Sequence, residues 1–583
     1  MAATDSPTRV SFVLNGEEVT VDDGISLLDA LRDELGCRSV KDGCSPQGQC
    51  GCCTIWVDGA PRVACVTPIR RVKGREVTTL EGVAHDQRNR WADAFVARGA
   101  SQCGFCTPGI LMRLAALETS GADLRGRAKQ PSPVELRRDI EAGLRAHLCR
   151  CTGWQSIVEA AVDVLGEASE TDRPGVGAGA TRDQLLAGWR AQLEGPAFQS
   201  SGADVVLGGG GFADDTAPAE ALLQLGAEAP LAADIRAARE GIGRQGRNST
   251  VPLSHPVAPP VGDWALTLAT TWVEPAYVEP DASWCRPGEP PASPLANGGA
   301  FGGKRHSPVP ARARSLADEN GQPVRVLWRR EDVVRRGPKR PPVAVALRSD
   351  GTGIVRIGRT PGSPDLTPVS EAVEALATGI QVEVVDLAGP VVGGELRGAG
   401  WAEVLAALHA LQARPEGPEV PHNARPMLTV GTGRADVTVP GGGRAVVEVC
   451  PEDGDGGRSS VEVDVWAGEV LCPVTLRSYA LGAVHQALGM VWSEGIAVDD
   501  TGEPVDLTIR SFGILAARDM PEVVVRLHED DSWPVNGSDA VFVATLAAAW
   551  IAEGLPAEWP TRRAVVRAPV SDVAPSSGRE EDS

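Results

Sequence analysis

Three things are scarce in this 583-residue sequence: lysine, basic or apolar residues in its opening stretch, and any apolar run long enough to cross a bilayer. Only five lysines stand among the 56 basic residues, an arginine bias that carries no functional meaning by itself. The opening "MAATDSPTRV" has neither a basic n-region nor an apolar h-region, so Sec-type export is not expected. The longest apolar stretch, "AVFVATLAAAWIA" (540–552), is too short for a membrane span. Positive charge is also in deficit. The formal charge of −21 would repel a nucleic acid or an anionic membrane, and both are excluded as partners. The expectation is a soluble cytoplasmic protein. What the sequence does have is thirteen cysteines, which in a reducing compartment point to metal ligands rather than disulfides. The eight histidines show no ligand spacing. Whatever metal chemistry is present must run on sulfur.

The length predicts several domains. "RVSFVLNGEEVTVDD" (9–23) alternates about Asn15-Gly16, a two-residue hairpin signal, and "ISLLDALRDEL" (25–35) has helical spacing. "CTIWVDGAPRVAC" reads as a second hairpin turning at Asp58-Gly59. Helices follow over 89–166. Thr107-Pro108 resembles an N-cap with a first-turn proline, "SPVE" (132–135) fits a capping box, and "QSIVEAAVDVLGEA" predicts a further helix. The Gly-, Ala- and charge-rich stretch 167–200 reads as a linker. Beyond it the pattern is mixed α/β with long Pro/Gly loops, including 205–215, 255–263 and 287–304. "VEVDVWAGEVL" and "PVDLTIRSFGI" predict strands, and "RSYALGAVHQALGMVW" an amphipathic helix.

Cys44, Cys50, Cys53 and Cys65 follow C-x5-C-x2-C-x11-C, close to the plant-type [2Fe–2S] spacing. Gly43, Gly48 and Gly51 would let backbone N–H groups turn toward an anionic cluster. Zinc would also accept four thiolates, although a glycine loop with one distant strand cysteine is not its usual two-knuckle pattern. Cys103, Cys106, Cys149 and Cys151 form a second set, C-x2-C in "SQCGFCTPG" and C-x-C in "HLCRCTGW". Each pair precedes a predicted helix whose N-terminus favours negative charge. Cys37, Cys52, Cys285, Cys450 and Cys472 read as structural or buried thiols, and His147 as a packing residue.

"GCSPQGQCGCCTIWVDG", "QCGFCTPGI" and "CRCTGW", in this order over residues 8–166, resemble the iron–sulfur subunit of the molybdenum hydroxylases, which include xanthine dehydrogenase and aldehyde oxidase. The resemblance implies two [2Fe–2S] clusters passing electrons from a molybdopterin centre to flavin, and it places Gln102 and Cys151 beside the pterin. The segment between Cys106 and Cys149 exceeds the family's usual length by about ten residues, in "SGADLRGRAK", the first loop has x5 between Cys44 and Cys50 where x4 is common, and neither departure removes a ligand.

The C-terminal region resembles the family's molybdenum-binding subunit in pieces: "TTWVEPAYVEPDASW", the glycine loop about Phe301 and Gly302 in "NGGAFGGK", a segment carrying Arg397, and late stretches over 468–495 and 507–525. Arg397 stands either as the family's active-site arginine or as a structural one, and Glu494 reads as solvating a helix end. The family's Gly-Gln-Gly pterin loop has no clear counterpart near "TVGTGRADV", and Ser538 or Asp539 stands where its catalytic glutamate is expected. Aspartate is one methylene shorter, and a displacement of about 1 Å can cost about 100-fold in rate. No catalytic residue is assigned.

The expected fold is an α+β multidomain chain. It comprises a β-grasp ferredoxin-like domain (8–85), a four-helix-type [2Fe–2S] domain (86–166), the linker, and a mixed α/β region (201–570) resembling part of the molybdopterin-binding subunit, with a disordered tail over 571–583. The function the resemblance implies is an oxidoreductase subunit. It would relay electrons from a molybdopterin-binding large subunit to an FAD-binding subunit, touching the pterin at Gln102, Phe301, Gly302 and Arg397. Two rivals stay open at this point: a self-contained molybdopterin hydroxylase using Asp539 as base, and a ferredoxin-like carrier with an assembly tail.

Overall fold

In the computed structural model the described residues are 9–119, 132–166, 180–195, 197–240, 242, 252–293, 299–413, 432–450 and 459–561. The "SGADLRGRAK" segment and the expected tail lie outside them.

The first sheet has the order Glu17–Asp22, Arg9–Leu14, Glu76–Thr78, Thr54–Val57, Ala60–Val63. Asn15 (φ 52°) with Gly16 (φ 89°), and Asp58 (φ 49°) with Gly59 (φ 74°), make left-handed two-residue turns that match strand twist. Both predicted hairpins form. The 25–35 helix is short and changes type, α over Leu27–Asp29 and π over Ala30–Glu34.

Four helices follow, His85–Arg98, Thr107–Thr119, Pro133–Gly143 and Gln155–Leu165. The Ser132 capping box is present: Glu135 N donates to Ser132 Oγ (3.3 Å) and Ser132 N to Glu135 Oε2 (2.8 Å). Trp56 Nε1 donates to Met112 O (2.7 Å), tying the sheet to the second of these helices.

The expected linker is not one throughout. Residues Ala180–Glu194 form a helix packed on Pro473–Trp492. Its alanine, glycine and charge mimic a linker by composition, while Ala187, Ala191, Arg190 and Glu194 are buried.

Three further sheets build the rest. One runs Leu231–Ala232, Leu222–Leu225, Val324–Leu327, Ala282–Cys285. The next runs Ile380–Asp386, Gly353–Arg359, Val343–Leu347, Leu266–Thr270, Glu558–Trp559. The last runs Gly433–Thr438, Arg444–Cys450, Ser460–Trp466, Glu522–His528, and helices Pro473–Trp492 and Ser538–Ala552 pack beside it.

Two expectations fail here. Helix Pro473–Trp492 is not amphipathic: from Leu476 on, nearly every side chain is buried, because it runs between the helical domain, its partner helix and the sheet. "PVDLTIRSFGI" is not a strand. Its backbone is satisfied by side chains instead: Gln47 Nε2 donates to Leu507 O (2.8 Å), Ile509 N to Gln47 Oε1 (3.2 Å) and Arg510 N to Gln49 Oε1 (3.3 Å). Among the described residues no helix is long and apolar enough to cross a membrane.

Candidate metal centres

The loop over 43–53 carries three positive-φ turns, at Ser45 (46°), Gly48 (73°) and Gly51 (76°). They fold it around Cys44, Cys50 and Cys53, and Cys65 arrives just after strand Ala60–Val63. All four thiols are buried. Gln47 N and Gln49 N donate to Cys44 Sγ (3.2 and 3.4 Å), and Cys65 N donates to Cys53 Sγ (3.4 Å). Hydrogen bonds from Cys50 and Cys65 hold Cys44 well below the ordinary thiol range, and those two donors are pushed up. A Cβ on Gly43 would come 3.0 Å from Cys50 Sγ and 3.1 Å from Cys52 Sγ. The chain is bare of side chain where the sulfurs need room.

The second set sits at the starts of helices Thr107–Thr119 and Gln155–Leu165. Cys103 and Cys151 have sulfurs 3.8 Å apart. Two thiolates at about 2.3 Å from one tetrahedral metal lie about 3.8 Å apart, so this pair has one-metal spacing. Cys149 is held well below its ordinary range by hydrogen bonds from Cys106 and Cys151, while Cys106 is pushed up by Cys149 and Cys151 by Cys103. Phe105 N (3.5 Å) and Thr152 Oγ1 (3.3 Å) point at Cys103 and Cys149 sulfur. Each quartet is thus a chain of neighbours. Among the described residues no three His, Cys, Asp or Glu side chains gather as ligands of a single ion. Buried thiols in a row, with N–H groups aimed at them, fit a two-iron cluster in each place.

The two loops touch. Leu148 N donates to Cys50 O (2.9 Å), joining the backbone of one candidate ligand to the neighbour of another. His147 packs, as expected: its ring meets Thr54 Oγ1 (3.1 Å), and burial lowers its pKa to about 3. Cys52 is buried between the sets, Cys285 is buried, and Cys450 and Cys472 are half-buried.

The residues expected to touch pterin fall in two places. Gln102 Nε2 donates to Cys151 O (3.0 Å) and Ser478 Oγ (3.1 Å). Phe301 (φ 45°) and Gly302 (φ 97°) press against the segment before Arg397, where a Cβ on Gly302 would lie 1.9 Å from Glu395 O. Arg397 N donates to Phe301 O (2.9 Å), and the guanidinium stacks 4.2 Å from the Phe301 ring centroid. Arg397 is buried, paired with Asp539 (2.8 Å), and donates to Ser538 Oγ (2.7 Å). Phe301 and Arg397, with Arg150 and Gln486, line a cavity of about 20 Å³, room for one water, whereas Gln102 lines a separate cavity of about 290 Å³. Phe301, Gly302 and Arg397 do not fit molybdopterin as placed. Asp539, raised by burial, has its carboxylate engaged by Arg397.

Sequence reasoning missed five contributors. Glu494 does not solvate a helix end: it is buried and binds Arg150 twice (2.5 and 2.7 Å), inside the Cys-x-Cys loop. Arg190 and Glu194 form a fully buried pair whose i,i+4 spacing was the available signal. Gln47 and Gln49 gave no signal, because their partners lie some 460 residues away.

A family model described as a [2Fe-2S] binding domain matches residues 79–162. The nicotinate dehydrogenase small FeS subunit of Eubacterium barkeri is 36% identical over 151 residues, covering 25% of this chain and 88% of that one. The aldehyde oxidoreductase of Megalodesulfovibrio gigas is 38% identical over 171 residues, 28% of this chain and only 18% of that relative's length. In overall shape the chain is similar to the solved aldehyde oxidoreductase from Desulfovibrio gigas, with a TM-score of 0.65 and 16% identity, covering 95% of this chain and 99% of that one. That likeness speaks for the fold alone.

Proposed function

The chain belongs to the molybdenum hydroxylase family, and from that premise we propose that it is the electron relay of a molybdopterin-dependent oxidoreductase whose catalytic centre lies on another chain. Cys44, Cys50, Cys53 and Cys65 hold one [2Fe–2S] cluster in the 8–85 domain, and Cys103, Cys106, Cys149 and Cys151 hold a second in the 86–166 domain. Each cluster, when bound, takes up and gives back one electron. Electrons enter from a molybdopterin-binding large subunit at the second set and leave from the first set to FAD on a further subunit. The 201–570 region completes the fold around the clusters and performs no chemistry of its own.

The observation that carries this reading is the Leu148 N to Cys50 O hydrogen bond between the two cysteine loops. It gives the two sets a direct through-bond path with no side chain interposed. The protein's part is to bury the sulfurs, aim N–H groups at them and exclude water, which together set the potential. Arg397 and Asp539 neutralise each other and are given no catalytic role.

The test is reduction of the chain within its purified complex. Substrate added anaerobically should reduce both clusters and then the flavin. In Cys149→Ser the flavin should stay oxidised while the molybdenum site still binds substrate. Flavin reduction at the wild-type rate in that variant would refute the relay.

A further inference from the structure

Arg330 opens the short helix Arg330–Arg336, just after strand Val324–Leu327 in the C-terminal region, and it is fully buried. One nitrogen, Nη2, donates to Gly43 O (2.7 Å) and to Val278 O (2.8 Å). Nε and Nη1 have no hydrogen-bond partner, and the guanidinium lies 5.9 Å from the Tyr277 ring centroid. The carboxylates around it are engaged elsewhere. Glu274 pairs with Lys339 (2.9 Å), and Asp281 accepts from the Tyr277 hydroxyl (2.6 Å). Asp332 pairs with Arg329 (3.1 Å), and Glu331 accepts from Gln47 Nε2 (3.2 Å). A guanidinium keeps its charge at any ordinary pH. Buried without a counter-ion it is strongly destabilising, and none of these side chains supplies one.

The anion that would balance it lies one peptide away. The carbonyl Arg330 holds belongs to Gly43, the residue joined to Cys44, and a Cβ on Gly43 would come 3.0 Å from Cys50 Sγ. A di-iron cluster on four thiolates is net negative and becomes more so when it takes an electron. Glu331, the next residue, grips the other side of the same cysteine: it holds the Gln47 side chain, and Gln47 N donates to Cys44 Sγ (3.2 Å). Two consecutive residues of the C-terminal region thus hold the loop before and after Cys44. The second cysteine set also has a buried arginine beside it, but a neutralised one. Arg150, between Cys149 and Cys151, is bound twice by Glu494 (2.5 and 2.7 Å).

We infer that Arg330 is the counter-charge of the first cysteine set, a positioning residue through which the C-terminal region holds the Gly43–Gln47 loop and makes the first cluster easier to reduce. The inference rests on the proposed relay and gives the C-terminal region a part in it. An unpaired cation at the first set, against a paired one at the second, favours passage of the electron from the second set to the first.

A redox titration of the full chain followed by EPR tests this, with iron content as a second readout. The signal that survives in Cys149→Ser belongs to the first set. Arg330→Gln keeps a donor for Gly43 O and removes the charge. In it the one-electron equilibrium of the first cluster should shift about tenfold toward the oxidised form, about 59 mV. The second cluster's potential should not move, and about four irons should stay bound. Arg330→Lys keeps the charge, loses the planar fork, and should stay near the wild-type potential. Should Arg330→Gln lose the first cluster, Arg330→Lys decides: a bound cluster at the wild-type potential supports the counter-charge, and one displaced about tenfold overturns it. An unmoved first-cluster potential in Arg330→Gln with iron retained would also overturn it, as would equal shifts of both clusters. A wild type without iron would sink the relay together with this inference, whereas two clusters indifferent to residue 330 would leave the relay standing and remove Arg330 alone.

Discussion

Glu494 is the residue whose importance is least visible in the sequence and clearest in the structure. With Arg150 it forms a doubly hydrogen-bonded pair, both side chains about 1% exposed, between Cys149 and Cys151 on one side and the Gly299 backbone on the other. Glu494→Gln leaves the guanidinium uncompensated beside the second cysteine set. A neighbouring cation favours the extra electron, so that cluster's potential should rise, by on the order of 60 mV for a tenfold change in the one-electron equilibrium. Stability should fall by about 3–5 kcal/mol. Redox titration followed by EPR checks the first and denaturant unfolding the second; an unmoved potential would remove the pair from the electronic account. Glu279 offers a different residue-scale test. Burial pushes its pKa up to about 7 despite Lys304 at 2.6 Å. The folded chain therefore holds this proton where the unfolded chain has lost it, and stability should fall as pH rises from about 4.5 to 7, by up to about 3 kcal/mol. Glu279→Gln should flatten that slope; an unchanged slope would assign it to other groups.

At the scale of elements, the cysteine loops were legible because a cluster loop is local. Glycine at 43, 48 and 51 and the cysteine spacing state the requirement within a dozen residues, and the hairpins at Asn15-Gly16 and Asp58-Gly59 do likewise. What was not legible depends on partners far along the chain. The 504–514 segment alternates like a strand, yet its backbone bonds to Gln47 and Gln49. The 180–194 helix has a linker's composition, and only its buried Arg190 and Glu194 reveal what it packs on. The expected contact residues Phe301, Gly302 and Arg397 do meet, but around Asp539 and Ser538, with no room for a ligand. Gln47→Leu should detach the 504–514 segment, at a cost of about 1–3 kcal/mol for the polar groups left unpaired. Amide exchange there should quicken while iron content stays constant; loss of iron instead would make Gln47 part of the cluster's own support.

At the scale of the whole molecule, the cysteine domains and the C-terminal region share one continuous apolar core, from Val10 and Phe12 to Trp550 and Trp559. Polar seams reinforce it. Arg32 binds Asp214 and Asp215 (2.6 and 2.9 Å), and Trp154 Nε1 donates to Leu515 O (3.1 Å). The C-terminal region is thus part of the wall around the two cysteine sets rather than an appendage. The central claim is that eight thiols hold two di-iron clusters. The most direct measurement is iron and acid-labile sulfide per anaerobically prepared chain, with EPR after dithionite reduction. The account predicts about four irons, about four sulfides and two distinct S = 1/2 signals, falling to about two irons and one signal in Cys149→Ser. Zinc in place of iron, or a wild-type chain with about two irons and a single signal, would contradict it.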